Sequence, residues 1–256
     1  MAGRATFRMP HTTLTVFSLR PGHRRWGLAQ MGTSPPTLQR VPGLSFFKLL
    51  GSGASNGFGL WPNLDRYALM SVWEDAAAAA AFFEQHPLWA DYQQRSAELW
   101  SVELAPLKSQ GLWDGQTPFD YTPLQLPDGP APVAVLTRAS IRLWKTRRFW
   151  QFVEPTSAAL AQAGGVRAAI GLGELPVVRQ ATFSVWESAQ AMQQYAYRDV
   201  RHREVIQLTR RENWYAEELF ARFQVLSSEG TLDGQDPLAG LLAPLADREP
   251  AAPRQG

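Results

Sequence analysis

The chain has 256 residues, of which 45% are hydrophobic and 19% charged, and its formal net charge is +2. This is the make-up of a water-soluble globular protein with one large domain or two small ones, and so slight a positive excess makes no case for nucleic acid. With no cysteine at all, disulfides, iron–sulfur ligation, thiolate haem ligation and cysteine nucleophiles are excluded within the chain.

Residues 1–12 read as a flexible arm without the apolar core of a signal peptide. Thr13 to Leu19 alternates as a strand, Pro21-Gly22 breaks it, and Arg24 to Met31 suits a short helix before a proline-rich loop. Phe46 to Leu50 is a second strand running into Gly51-Ser52-Gly53. With Gly57, these glycines suggest a phosphate loop, but Phe58-Gly59-Leu60-Trp61-Pro62 follows where a helix N-terminus would have to supply amide donors. Phosphate binding is therefore not expected.

Tyr67 to Trp73 is a third strand. Glu74-Asp75 opens an alanine-rich helix that breaks near Pro87, and Trp100 to Leu107 is a fourth strand. Residues 116–131 form a proline-dense linker. The same order then returns: a strand at Val133–Thr137, a helix to Ala163 with a break expected at Pro155, and strands at Val166–Ile170 and Gln180–Trp186. An interrupted helix runs to Trp214, and a last strand lies around Glu218–Leu226. Residues 239–256 read as a disordered tail. No segment approaches the roughly 18 apolar residues of a membrane span. A cytoplasmic protein is expected, with surface attachment to the inner membrane left open.

The repeat is visible in the residues themselves. Ser71-Val72-Trp73-Glu74 returns as Ser184-Val185-Trp186-Glu187, 113 positions later, and Asp114-Gly115-Gln116 returns as Asp233-Gly234-Gln235, 119 positions later. The six extra residues of the second copy fall around Arg198 to Arg203. Each copy reads βαββαβ, so the expected fold is α+β: two tandem ferredoxin-like units, 13–115 and 132–238, packed as an intramolecular dimeric α/β barrel. That fold hosts cofactor-free and haem-dependent proteins alike, so it does not by itself assign an activity.

There are four histidines. His11 and His23 read as loop or surface residues, and His86 precedes Pro87 at a helix break. His202 shares a helical face with Val205, Ile206 and Thr209. It could ligate haem iron, but spacing alone favours a partly buried histidine hydrogen-bonded to a carbonyl, Glu204 or Glu212. No HExxH pattern supports zinc, and no nucleophile elbow supports a Ser-His-Asp triad. Arg210 lies two turns after His202, within reach of a carboxylate such as a propionate. Arg138, Arg142, Lys145, Arg147 and Arg148 form a second basic cluster that reads as a solvated face or as a dock for an acidic partner. Trp214 reads as core.

From Thr13 to Leu238 the chain resembles the spheroidene monooxygenase family of bacterial carotenoid 2-ketolases. In the first copy the resemblance lies in Gly51-Ser52-Gly53, Gly57-Phe58, Trp113-Asp114-Gly115 and Pro118-Phe119. In the second it lies in Leu136-Thr137-Arg138-Ala139, Phe149-Trp150, Gly171, Gly173-Glu174, Pro176, Thr182-Phe183-Ser184 and Trp186. It continues through His202, Arg210, Glu212-Asn213-Trp214, Glu217-Glu218-Leu219 and Ala221-Arg222-Phe223-Gln224. The alanine-rich helix after Asp75 and the text around Arg198 depart from the family pattern. The resemblance implies a haem b monooxygenase that places a keto group at C-2 of an acyclic carotenoid, with dioxygen and reduced ferredoxin. It implies His202 as proximal iron ligand, with His86 a weaker rival, and Arg210 beside the cofactor. Arg138 or Gln180 is the distal candidate by strand position. The other readings are a peroxidase-like haem enzyme on the same barrel and a cofactor-free barrel that binds a small apolar ligand. Oligomeric state is not readable.

Overall fold

The computed structural model describes residues 10–54, 59, 61–119, 131–175, 177–198, 208–209 and 211–242. The first copy contains β1 (His11–Leu19), α1 (Arg24–Thr33), α2 (Pro35–Leu38), β2 (Leu44–Gly53) and β3 (Pro62–Trp73). It continues with α3 (Ala76–Gln85), α4 (Pro87–Arg95) and β4 (Ser96–Gly111). The second contains β5 (Val133–Ile141), α5 (Thr146–Ala161), β6 (Val166–Leu175), β7 (Arg179–Trp186), α6 (Ala189–Arg198) and β8 (Tyr215–Gly230). Strand edges run further than the apolar runs suggested, because the outer ends of β4 and β8 pair with each other instead of with the core. β1 begins at His11, two residues inside the expected arm. The break expected at Pro155 does not occur, since α5 continues past it. Two prolines stand at α2's first turn, where a missing N–H costs nothing, and turn part of the expected loop into helix.

All eight strands close into one barrel in the order β1-β3-β2-β6-β7-β5-β8-β4. Within each copy the order is 4-1-3-2 and every pairing is antiparallel, the ferredoxin-like arrangement. The copies meet at two seams. β4 and β8 pair from Trp100↔Gly230 to Gly111↔Leu219, whereas β2 and β6 meet only at Gly51↔Gly173 and Ser52↔Leu172. The register makes residue equivalences exact. Thr15↔Leu69 in β1–β3 corresponds to Thr137↔Thr182 in β5–β7, and Leu49↔Leu69 corresponds to Gly171↔Thr182.

Alternate residues of each strand point into the barrel. Trp100, Trp113, Phe119, Phe183 and Phe223 fill it, each at most 2% exposed, with Phe119 edge-on to Phe223 at 5.0 Å. Phe119 comes from the expected linker, so that segment begins as part of the core. Aromatic burial of this kind stabilises by about 1.5–3 kcal/mol per side chain. Among the described residues the interior is a packed hydrophobic core.

Candidate functional site

The two outer faces can be compared position by position. In the first copy, Phe17, Leu49, Leu69 and Trp73 face outward and are buried under the helices with Phe82, Trp89 and Tyr92. His86 belongs to this half: it ends α3 and caps α4, its Nδ1 accepting from the Leu88 N–H at 3.1 Å. In the second copy Trp186 keeps the place of Trp73, but other equivalent positions carry small side chains. Ala139 stands for Phe17, Ala169 for Phe47, Gly171 for Leu49 and Thr182 for Leu69. One change runs the other way, Phe220 replacing Ser101 at the edge. Thr15 is fully buried, yet its counterpart Thr137 is exposed.

Among the described residues, helix side chains are seen packing at the two ends of this second face. At one end Leu160 of α5 and Met192 of α6 pack on Val133 and Trp186. At the other, Trp150 of α5 donates from its indole to the Val177 carbonyl at 3.1 Å, and Phe152 packs on Trp214, centroids 5.6 Å apart. Trp214 is core, as expected, fully buried with its indole N–H on Glu212. Between the two ends the sheet carries Gly171 and Thr182 where the first copy has Leu49 and Leu69, a strip cleared of bulky side chains beside the exposed Thr137. His202 and Arg210 lie outside the described residues. The described chain leaves off at Arg198 of α6 and enters β8 at Tyr215, which pairs with Ile141 at the edge of this same face.

A cavity of about 200 Å³ opens beside the cleared strip, at the short β2–β6 seam. Its walls come in equivalent pairs from the two copies: Leu28 with Trp150, Gly51 with Gly173, Leu64 with Val177, and Tyr67 with Gln180. Gly173 and Gln180 are the next outward positions after Gly171 and Thr182, so cavity and strip adjoin. Gln180, one of the two distal candidates, therefore faces this space, its carboxamide lying over Gly173.

Arg138 is elsewhere. It replaces the interior residue Val16 and is 1% exposed, pointing into the mouth of the barrel instead of outward with the basic cluster. Its guanidinium lies 5.7 Å from the Trp113 ring centroid. It pairs with Glu217, and reaches Asp114 at 3.3 Å and Glu174 at 3.4 Å. Glu217 in turn accepts from the Asp114 and Gly115 backbone N–H groups, both at 2.9 Å. Glu98 does the same for Asp233 and Gly234 in the other copy. This is why the Asp-Gly-Gln text recurs: each copy's turn, with positive φ at Asp114 and Asp233, is clamped by a glutamate from the strand beside it.

Burial alone would raise the Asp114 carboxyl, but the hydrogen bond from Lys48 and the charges of Lys48, Arg179 and Arg138 hold it below the usual carboxylate range. Glu217 is likewise pushed up by burial and brought lower overall by the Gly115 and Asp114 N–H groups and by Arg138. Both folded-state values are depressed, so the stability they confer is present above the ordinary carboxylate value of about 4 and is lost as pH falls through the folded values. Thermal unfolding followed by circular dichroism should show Tm falling steeply below about pH 4. An Arg138→Leu variant should have a flatter acid limb, because its carboxylates lose the pairing that depresses them.

No protein-family model matches the chain. Among curated proteins, it is 42% identical over 224 residues to a spheroidene monooxygenase of Rubrivivax gelatinosus, covering 87% of this chain and 84% of the relative. It is 35% identical over 232 residues to one of Rhodobacter capsulatus, covering 90% and 96%, and 35% identical over 236 residues to one of Cereibacter sphaeroides, covering 91% and 72%. Among solved structures, an aldoxime dehydratase superposes with a TM-score of 0.57 at 11% identity, covering 84% of this chain and 81% of that one. A second, crystallised with butyraldoxime, gives 0.57 at 10% identity, covering 91% and 84%. At such low identity these two speak to the fold alone.

Proposed function

Because the chain belongs to the spheroidene monooxygenase family, and is thus an oxidoreductase that incorporates oxygen, we propose that it converts C-2 of an acyclic, spheroidene-like carotenoid to a ketone in carotenoid biosynthesis. The overall balance is one CH₂ group with two dioxygen molecules, four electrons and four protons, giving C=O and three waters. Two successive hydroxylations at one carbon and the loss of water from the resulting diol satisfy it. Haem b, when bound, supplies the site of dioxygen activation, with electrons from reduced ferredoxin.

The observation that carries this reading is the cleared outer face of the second copy. A flat macrocycle needs a flat bed between sheet and helix, and Gly171, Ala169, Ala139 and Thr182 provide one where the first copy is filled by Leu49, Phe47, Phe17 and Leu69. The small side chains of this face are compatible with the group. His202 would hold the iron and Arg210 a propionate as a charge-assisted donor. His86 remains the weaker rival, being engaged as a helix cap in the filled half. Of the two distal candidates, Gln180 lies on the face concerned, whereas Arg138 is occupied by three carboxylates inside the barrel. Gln180, with two amide N–H donors, is the side chain we assign to hydrogen-bond oxygen atoms beside the bound group.

Arg142, Lys145, Arg147 and Arg148, at the start of α5, are the proposed dock for an acidic ferredoxin, with Glu212 3.8 Å from Lys145 the nearby countercharge. No helix among the described residues is long and apolar enough to cross a membrane, and contact with the inner membrane surface is part of this proposal because the substrate partitions into lipid.

Haemin titration of the purified protein tests the reading. Wild type should develop a Soret band at one equivalent, and His202→Ala should lose it or bind at least about tenfold more weakly. A His86→Ala variant should titrate like wild type. Failure of wild type to form the band would sink the haem assignment, and an unchanged His202→Ala spectrum would sink the ligand.

A further inference from the structure

The cavity at the β2–β6 seam contains more polar capacity than the protein itself uses. Tyr67 is 3% exposed, and its buried hydroxyl has no hydrogen-bond partner among the described residues. A buried hydroxyl without a partner is uncommon and costs about 1–3 kcal/mol. Tyr67's counterpart across the seam is Gln180, which lines the same cavity and whose amide nitrogen lies 3.4 Å from where a Gly173 Cβ would stand. The two copies thus bring one hydroxyl and one amide to the same apolar space, walled by Leu28 and Trp150.

We propose that this cavity is a binding site for the oxygen-bearing end of an apolar chain, with Tyr67 and Gln180 as its hydrogen-bond donors. It is too small for a drug-sized ligand, which needs roughly 300–1,000 Å³. It suits the oxygen-bearing end group of a longer molecule, with the neighbouring carbon held at the cavity's edge next to the strip. The inference rests on the reading of the strip as the reaction site. Seating the terminus beyond Gly173 fixes how far the chain enters, and hence which carbon is presented. Tyr67 and Gln180 act here as positioning residues: an oxygen at the chain end would satisfy them, and a hydrocarbon end would leave them unpaired.

Gly51 offers a way to close the cavity without strain. A Cβ built there meets nothing nearer than the Gly173 carbonyl at 3.9 Å, and its φ is not in the left-handed region. Isothermal titration with geraniol, a ten-carbon isoprenoid alcohol, and with myrcene, a hydrocarbon of the same length, tests the site without haem or carotenoid. Wild type should bind geraniol about tenfold more tightly than myrcene. The Tyr67→Phe/Gln180→Leu double variant should bind both equally, and Gly51→Leu should bind neither. Gly51→Ala, with a single added methyl, should weaken both and guards against misfolding of the larger replacement, checked by unchanged far-ultraviolet circular dichroism. A plugged variant that still binds geraniol, or a double variant that keeps the preference, overturns the proposal. If geraniol binds as expected but wild type never converts a carotenoid, the activity reading fails and the site stands.

Discussion

Giving the second copy the first copy's side chains, as Gly171→Leu with Thr182→Leu, is expected to abolish carotenoid conversion and leave the barrel folded. Leu49 and Leu69 occupy the equivalent positions side by side on the outer face and are buried there at 8% and 2% exposure, so the backbone geometry accepts this pair. Replacing a strand-interior glycine should also raise strand stability slightly. The leucines would lie where the flat ligand is proposed to rest, and displacement of a reacting group by even about 1 Å costs on the order of a hundredfold in rate. Haemin titration and ketone analysis in a pigment-producing host should both collapse, while Tm holds or rises. Normal ketone yield from such a variant would mean that the cleared strip is not the reaction site.

Arg138→Leu should be the most destabilising substitution at the barrel mouth, by about 3–5 kcal/mol, the usual penalty for stripping a buried ion-pair network of one member. The guanidinium is 1% exposed and faces Glu217, Glu174 and Asp114, whose side chains are 23%, 12% and 32% exposed. Without it, among the described residues, Lys48 still pairs with Asp114 and Arg179 with both Asp114 and Glu174, and Glu217 is left without a cation. Glu217 would also loosen its hold on the Asp114–Gly115 turn. In a chain of this size each kcal/mol shifts Tm by about 2–4 °C, so a fall of roughly 10 °C is expected in a thermal melt. Arg138→Leu combined with Glu217→Gln should recover part of the loss. If the single variant melts with wild type, the network is not structural, and a catalytic role for Arg138 regains interest.

The repeat, the strand order within each copy and the barrel were legible because they rest on local periodicity and on text as specific as Ser-Val-Trp-Glu recurring intact. Trp73 and Trp186 announced equivalent strands, and the register confirms their equivalence. What was not legible is long-range. Arg138 reads naturally as one of five basic residues, since its partners lie 24, 36 and 79 positions away. Period-two alternation through Ala134 and Leu136 does place it inward, and that signal was available. The cleared face was invisible for a different reason. Alanine, glycine and threonine at 139, 171 and 182 are unremarkable alone, and become informative only when aligned against Phe17, Leu49 and Leu69. The seam cavity depends on two strands meeting for just two residues, which no linear pattern encodes. His202 stays where the sequence left it, outside the described residues, and its assignment belongs to the haemin titration.

The covalent linkage of the two ferredoxin-like units has a consequence for how such a barrel can acquire a site. In a barrel assembled from two identical chains, every substitution appears twice, so hollowing one face to admit a ligand hollows its mate and removes core from both sides at once. Here Leu49 and Gly171, Phe17 and Ala139, and Val16 and Arg138 occupy matching places in one molecule and differ. One half keeps the helix-buried aromatic mass of Trp73, Phe82, Trp89 and Tyr92 as ballast, and the other is free to be thin. Symmetry-breaking within a single polypeptide thereby separates the residues that keep the protein folded from those that can change with its substrate.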